Sequence, residues 1–135
     1  MDPIFATIRQ IHAIFGREVL SVLIVVAAVY LAFTYRPNAP RNLVTRVFPV
    51  LIDIQATLGL IYWLAGIFAG ITYFLSFPFI LHPLLGLVTA IVGHIFFGVR
   101  NPLARLQRWA GPVALGIILV LVLSNVLIAM FARMV

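Results

Sequence analysis

Residues Phe79 to Arg100 read FILHPLLGLVTAIVGHIFFGVR. The run is apolar over its whole length, contains no acidic residue, and stops at an arginine. About 20 such residues in a helix cross the roughly 30 Å hydrocarbon layer of a bilayer. The sequence therefore predicts a membrane helix over 79–99, with His82-Pro83 near its start and His94 towards its end. Two of the three histidines of the chain lie on this one segment.

Working outward, Ser76-Phe77-Pro78 forms a short uncharged turn, and a long apolar run over 47–75 precedes it. On the other side, RNPLARLQRWAGP leads into a fourth run over 112–131. The first apolar run, over 19–35, ends at Arg36-Pro37. Four runs of this length predict an all-α chain: an integral membrane four-helix bundle, up-down-up-down, forming a single domain over 1–135. Residues 2–17 are amphipathic, with Ile4, Ile8, Ile11 and Phe15 at helical spacing. Asp2-Pro3 suits a helix start. This segment is expected either to lie in the membrane interface as a lead-in to the first span, the favoured reading, or to continue into that span after Gly16. The first apolar run is not followed by a small-residue cleavage site, so it is expected to be retained rather than removed as a signal peptide.

Composition agrees. Of 135 residues, 64% are hydrophobic and 9% charged, and the mean hydropathy is +1.21. A soluble domain is about half apolar and about a quarter charged. Lipid is the solvent that suits this chain. It contains no cysteine, which excludes disulfides, thiolate nucleophiles and thiolate metal sites. All nine basic residues are arginine, and the net charge is +6. In a soluble protein such a balance points to nucleic acid. Here the arginines stand at the ends of apolar runs, so headgroups explain them better and no nucleic-acid partner is expected.

Arg36, Arg41 and Arg46 fall in the first loop, and Arg100, Arg105 and Arg108 in the third. The short loop opposite holds none. Loops 36–46 and 100–110 are thus expected in the cytoplasm of a bacterium, with both termini outside the inner membrane.

Few residues offer chemistry. Asp53 lies inside the second apolar run, where an acid is costly unless paired or wet. The third run is expected to return in the opposite direction, which brings His94 to about the same depth. Asp53 and His94 are therefore an expected intramembrane pair: a clamp, a proton relay, or a carboxylate orienting a histidine. Gln55, two residues on, should face away from Asp53. His82 and His12 fall at the other end and can meet as two ligands of one haem. His82 and His94 cannot share one, being about 18 Å apart along a helix. Gly66 and Gly70 make a GxxxG step, Gly86 and Ala90 repeat the spacing, and Asn125 is polar within the fourth run; all five are expected to pack helices together. No phosphate-cradling loop, HExxH or Ser-His-Asp pattern occurs, so no self-contained enzyme is expected.

The helix bearing HPLLG, with a later histidine, resembles the haem-bearing helices of transmembrane b-type cytochromes, of the ascorbate-dependent ferric-reductase kind and their small four-span bacterial relatives. The likeness covers about 20 residues of the third run. It implies His82 as a haem ligand. Members hold haems with pairs of histidines; with three histidines in the chain, one haem b and no other metal is what the resemblance implies.

Three functions follow as expectations. The first is a non-catalytic membrane subunit or assembly partner of a larger bacterial complex, respiratory or photosynthetic, with no cofactor and with other membrane subunits as partners. The second is a small electron-transfer protein of b-type cytochrome character. The third is a small proton-coupled transporter or channel using Asp53 and His94.

Overall fold

The computed structural model describes residues 3–36 and 41–132. Asp2, the middle of the first loop and Arg133 lie outside the described residues. Among the described residues, every regular element is helical. α1 spans Pro3–Ile14, a π-helical turn spans Phe15–Val19, and α2 spans Leu20–Thr34. α3 runs Leu43–Phe68, a 3-10 turn Thr72–Leu75, α4 Leu81–Phe97, a second 3-10 segment Ala104–Trp109, and α5 Ala110–Phe131.

Local chemistry accounts for most boundaries. Asn42 starts α3: its Oδ1 accepts the Val44 amide at 2.9 Å, supplying a partner that the first turn lacks. Gly70 stops the same helix. With φ at +75°, it lets the Ile71 amide bond the Gly66 carbonyl at 3.0 Å and its own amide bond the Ile67 carbonyl at 2.9 Å. That is the Schellman arrangement, which favours glycine at this position. The second apolar run therefore does not continue as helix to residue 75. Gly70 also lies beyond the helix, with nothing within 4 Å of where a Cβ would stand. It terminates a helix and takes no part in a packing step with Gly66.

The amphipathic N-terminal segment and the first apolar run are one rod. No break occurs at Gly16; helix Pro3–Thr34 passes through it by the π turn. α1 packs on α3, α2 on α5, and α4 on both α3 and α5.

The main core is narrow. Leu20, Ile24, Ala27 and Leu31 form one stripe of α2 and meet Ala114, Leu115, Ile118 and Val122 of α5, with Phe48, Ile52 and Phe97 closing the cluster. A second, aromatic cluster surrounds Phe74 and Phe79, with Phe5, Tyr62 and Tyr73 against it. Trp63 Nε1 donates to the Phe74 carbonyl at 2.8 Å, tying α3 to the 3-10 turn.

Most of the apolar surface faces outward. Val26 and Phe33 on α2, Val50 and Ile61 on α3, Val88 and Ile91 on α4, and Val120 and Leu127 on α5 are all exposed. Among the described residues, three helices are long and apolar enough to cross a membrane: Pro3–Thr34, Leu43–Phe68 and Ala104–Phe131. Leu81–Phe97 is a shorter apolar helix. This helix is the organising stretch of the sequence, and it packs between α3 and α5.

Candidate functional site

α1, α3, α4 and α5 enclose a cavity of about 150 Å³ whose walls include His12, Gln55, Gly59, His82, Gly86 and Asn125. His12 comes from α1 and His82 from the first turn of α4. Their ring centres are 5.8 Å apart, with ring planes at 82°. His82 Nδ1 lies 3.0 Å from the Asn125 carbonyl. As the donor in that bond, Nδ1 fixes the ring orientation, as an outer partner does for a ligand histidine.

The His12 side is built by glycines and a π turn. Gln55 Nε2 donates to the His12 carbonyl at 3.0 Å. A Cβ on Gly16 would stand 2.1 Å from that nitrogen, so only glycine leaves room for the bond. A Cβ on Gly59 would stand 2.7 Å from His12 Cε1. The ring thus rests directly on the α3 backbone. A π turn is an uncommon element that recurs at functional sites. Here it adjoins the turn whose carbonyl Gln55 holds. His12 Nδ1, Gln55 Oε1 and Asn125 Oδ1 are buried, with no hydrogen-bond partner among the described residues. The cavity is mostly apolar, with the polar side chains of His12, Gln55, His82 and Asn125 set into its walls.

Two imidazoles sharing an iron stand with ring centres about 6 Å apart, given metal–nitrogen bonds of about 2 Å. The observed separation fits such a ligand pair. The space around it is smaller than the roughly 300–1,000 Å³ that holds a mid-sized organic ligand. A tetrapyrrole would need Phe79 and Tyr62, which line the chamber, to move aside. The ring spacing suits a shared iron, but the chamber as it stands does not take a haem.

Asp53 and His94 occupy a different place. His94 Nε2 lies 2.9 Å from Asp53 Oδ2 and 3.0 Å from Oδ1. The bond joins α3 to α4. Neither residue lines the chamber. Their side chains are 43% and 60% exposed, respectively, and they stand among the outward residues Val50, Ile54, Ile91 and Ile95.

The remaining expected packing residues separate. Gly86 brings α4 to α5, since a Cβ there would stand 3.5 Å from Asn125 Nδ2. Ala90 packs against the main core. Gly66 accepts the Phe74 ring, 2.4 Å from where its Cβ would stand, and so contacts the turn after α3 rather than another long helix.

Gln55, Gly16 and Gly59 were not singled out by the sequence as site residues. A glutamine within an apolar run is a visible signal. Its target, a main-chain carbonyl on another helix, leaves no mark on side-chain pattern.

No protein-family model matches the chain, and no curated protein or solved structure matches it.

Proposed function

We propose that the chain is a non-catalytic integral membrane subunit of a larger bacterial inner-membrane complex, and that Asp53 and His94 mark the face on which a partner subunit sits. The architecture in this reading is an up-down-up-down bundle. The ends of α2 and α4 and the starts of α3 and α5 line one common cavity, which supports the alternation. Both arginine-rich loops then lie on one side, assigned to the cytoplasm by the arginine excess.

One observation carries the proposal: the outward position of the Asp53–His94 pair. Asp53 is seven residues past Arg46 and His94 six before Arg100, or about 9–11 Å inside the arginine level. With a hydrocarbon half-thickness of about 15 Å, that depth is within lipid. An aspartate facing lipid at the middle of a helix costs about 2.5–3.5 kcal/mol. Pairing with His94 offsets part of that cost, and a polar group from a neighbouring helix offsets more. A proton path through the bundle would instead need these groups to line an internal space.

The test is native mass spectrometry of the gently solubilised protein. The expected result is a stoichiometric complex with a different membrane chain. It is lost in the Asp53→Leu/His94→Leu double variant and kept in Glu18→Gln, whose site is elsewhere. The double variant exchanges an outward polar pair for apolar side chains, so the chain itself should still fold. A single free chain, or a complex of identical copies only, overturns the proposal.

A second reading is favoured by the His12–His82 ring pair: a small electron-transfer protein with one haem b. His12 and His82, both on the chamber wall, would hold the iron. The group when bound supplies one-electron chemistry. The chain's part is to hold two neutral imidazoles in an apolar surround and to keep the His82 ring in place through Asn125. A dithionite-reduced minus air-oxidised spectrum decides it. A haem signal near one per chain, abolished by His82→Ala but not by His94→Ala, supports this reading; a flat visible spectrum ends it.

A further inference from the structure

A second cavity lies at the arginine end. It measures about 380 Å³, and its walls include Tyr35, Arg36, Arg41, Asn42, Asn101 and Arg108. Among the described residues, no acidic side chain lines it. Of the three acidic residues in the chain, Glu18 pairs with Arg17 at 2.6 Å and Asp53 with His94, while Asp2 lies outside the described residues. Arg36, Arg41 and Arg108 thus line it with no carboxylate beside them among the described residues.

The helix dipoles do not change this balance. The positive ends of α3 and α5 and the negative ends of α2 and α4 meet here, each worth about half a charge, and they cancel. One negative end is also occupied, since Arg41 Nη2 donates to the Phe97 carbonyl at the close of α4. Arg108 stands over the Trp109 ring, 5.1 Å from its centre. This contact holds the guanidinium at the aromatic level of the boundary. Gln107 lines the same space with φ at +50° and ψ at −116°. A non-glycine residue in that region is strained, and such strain gathers at ligand sites. Asn42 and Asn101 line the wall with their side-chain oxygens committed to the backbone, at Val44 and Leu103. Their side-chain amide N–H groups are not used in those bonds. Val99, 92% exposed, is an apolar member of the same wall, and Leu43, 72% exposed, follows Asn42 in sequence.

We infer that this cavity binds a phosphate-bearing headgroup: arginines and amide donors take the phosphate, and the apolar rim takes the chains of an anionic phospholipid. Guanidinium forks match phosphate oxygens in pairs. Basic pockets between membrane helices hold anionic headgroups for the same reason. The inference needs the membrane setting but neither the partner subunit nor the haem.

The experiment uses the full chain in nanodiscs of phosphatidylcholine with a minor share of phosphatidylglycerol, released into the gas phase for native mass spectrometry. The wild-type chain is expected to retain phosphatidylglycerol over phosphatidylcholine. Arg36→Gln/Arg108→Gln should lower that retention roughly tenfold or more, two arginines having been removed from an anionic site. Arg9→Gln, at the other end, should leave it unchanged. Arg41 is kept because it also closes α4. A parallel arm adds inorganic phosphate to protein in a non-ionic detergent. If phosphate alone binds and the double variant loses it, the same site serves a free anion rather than a lipid. Equal retention of both lipids together with no phosphate binding, or a double variant that behaves as wild type, overturns the inference. The helical circular dichroism of the double variant confirms that it has folded.

Discussion

Gly59 and Gly116 show how differently two glycines of similar helices can behave. At Gly59 the added methyl meets the His12 ring at 2.7 Å, and the ring is held between α1 and α3. Gly59→Ala is expected to destabilise the protein by about 1–3 kcal/mol, the usual cost of overpacking, and to displace His12 from His82. At Gly116 nothing lies within 4 Å and the backbone is ordinary helix. Gly116→Ala should be neutral or stabilising by up to about 1 kcal/mol, from helix propensity alone. Thermal unfolding of the two variants in one detergent checks both signs. The same contrast applies to the polar residues. Asp53 and Gln55 are two positions apart on α3, yet one reaches outward to His94 and the other inward to the His12 carbonyl. A separation of two residues turns a helix side chain through about 200°. That they face apart was legible in the sequence; that Gln55 had a backbone target was not.

The elements are joined by turns whose stability comes from a few side chains. Phe74 is 3% exposed, fills the space left by Gly66, and makes ring contacts with Phe5, Tyr62 and Phe79. Its carbonyl receives Trp63. Phe74→Ala should cost about 3–5 kcal/mol and loosen the connection of α3 to α4. Trp63→Phe keeps the ring and removes only the hydrogen bond, so it should cost about 1 kcal/mol. Proteolysis within 69–80 provides a local readout: faster in Phe74→Ala, little changed in Trp63→Phe. The apolar run over 47–75 hid this division, because Ile71, Phe74 and Leu75 are as apolar as the helix before them. Only the positive φ of Gly70 separates helix from turn. Glycine at that point was equally readable as a packing step within a longer helix.

For the whole molecule, the distribution of apolar side chains is the governing fact. A thin core between α2 and α5 and a broad apolar exterior together mean that water is the wrong solvent for this chain. The absence of native cysteine makes its topology directly measurable. In oriented vesicles, Leu106→Cys should label from the cytoplasmic side and Ser76→Cys from the opposite side, both being exposed in the fold. Labelling of both positions from one side would break the alternating arrangement. If an anionic headgroup seats at the arginine end, mixtures containing phosphatidylglycerol should also raise the unfolding temperature over pure phosphatidylcholine, and high salt should reduce that gain.

Helical class and the apolar segments were determined by the sequence alone, because hydropathy over about 20 residues depends on nothing but local composition. The level at which Asp53 and His94 meet along α3 and α4 was also set by counting along the sequence. Tertiary structure decided what each rod shows to its neighbours. α2 and α5 are apolar nearly all round, so no periodicity sets their rotation, and packing chose which stripe to bury. The same packing turned the Asp53–His94 pair outward, brought His12 to His82 over Gly59, and gathered three arginines from two loops around one cavity. Each of these depends on helix rotation and close approach, which are set by the fit of side chains between helices and not by the order of residues along any one of them.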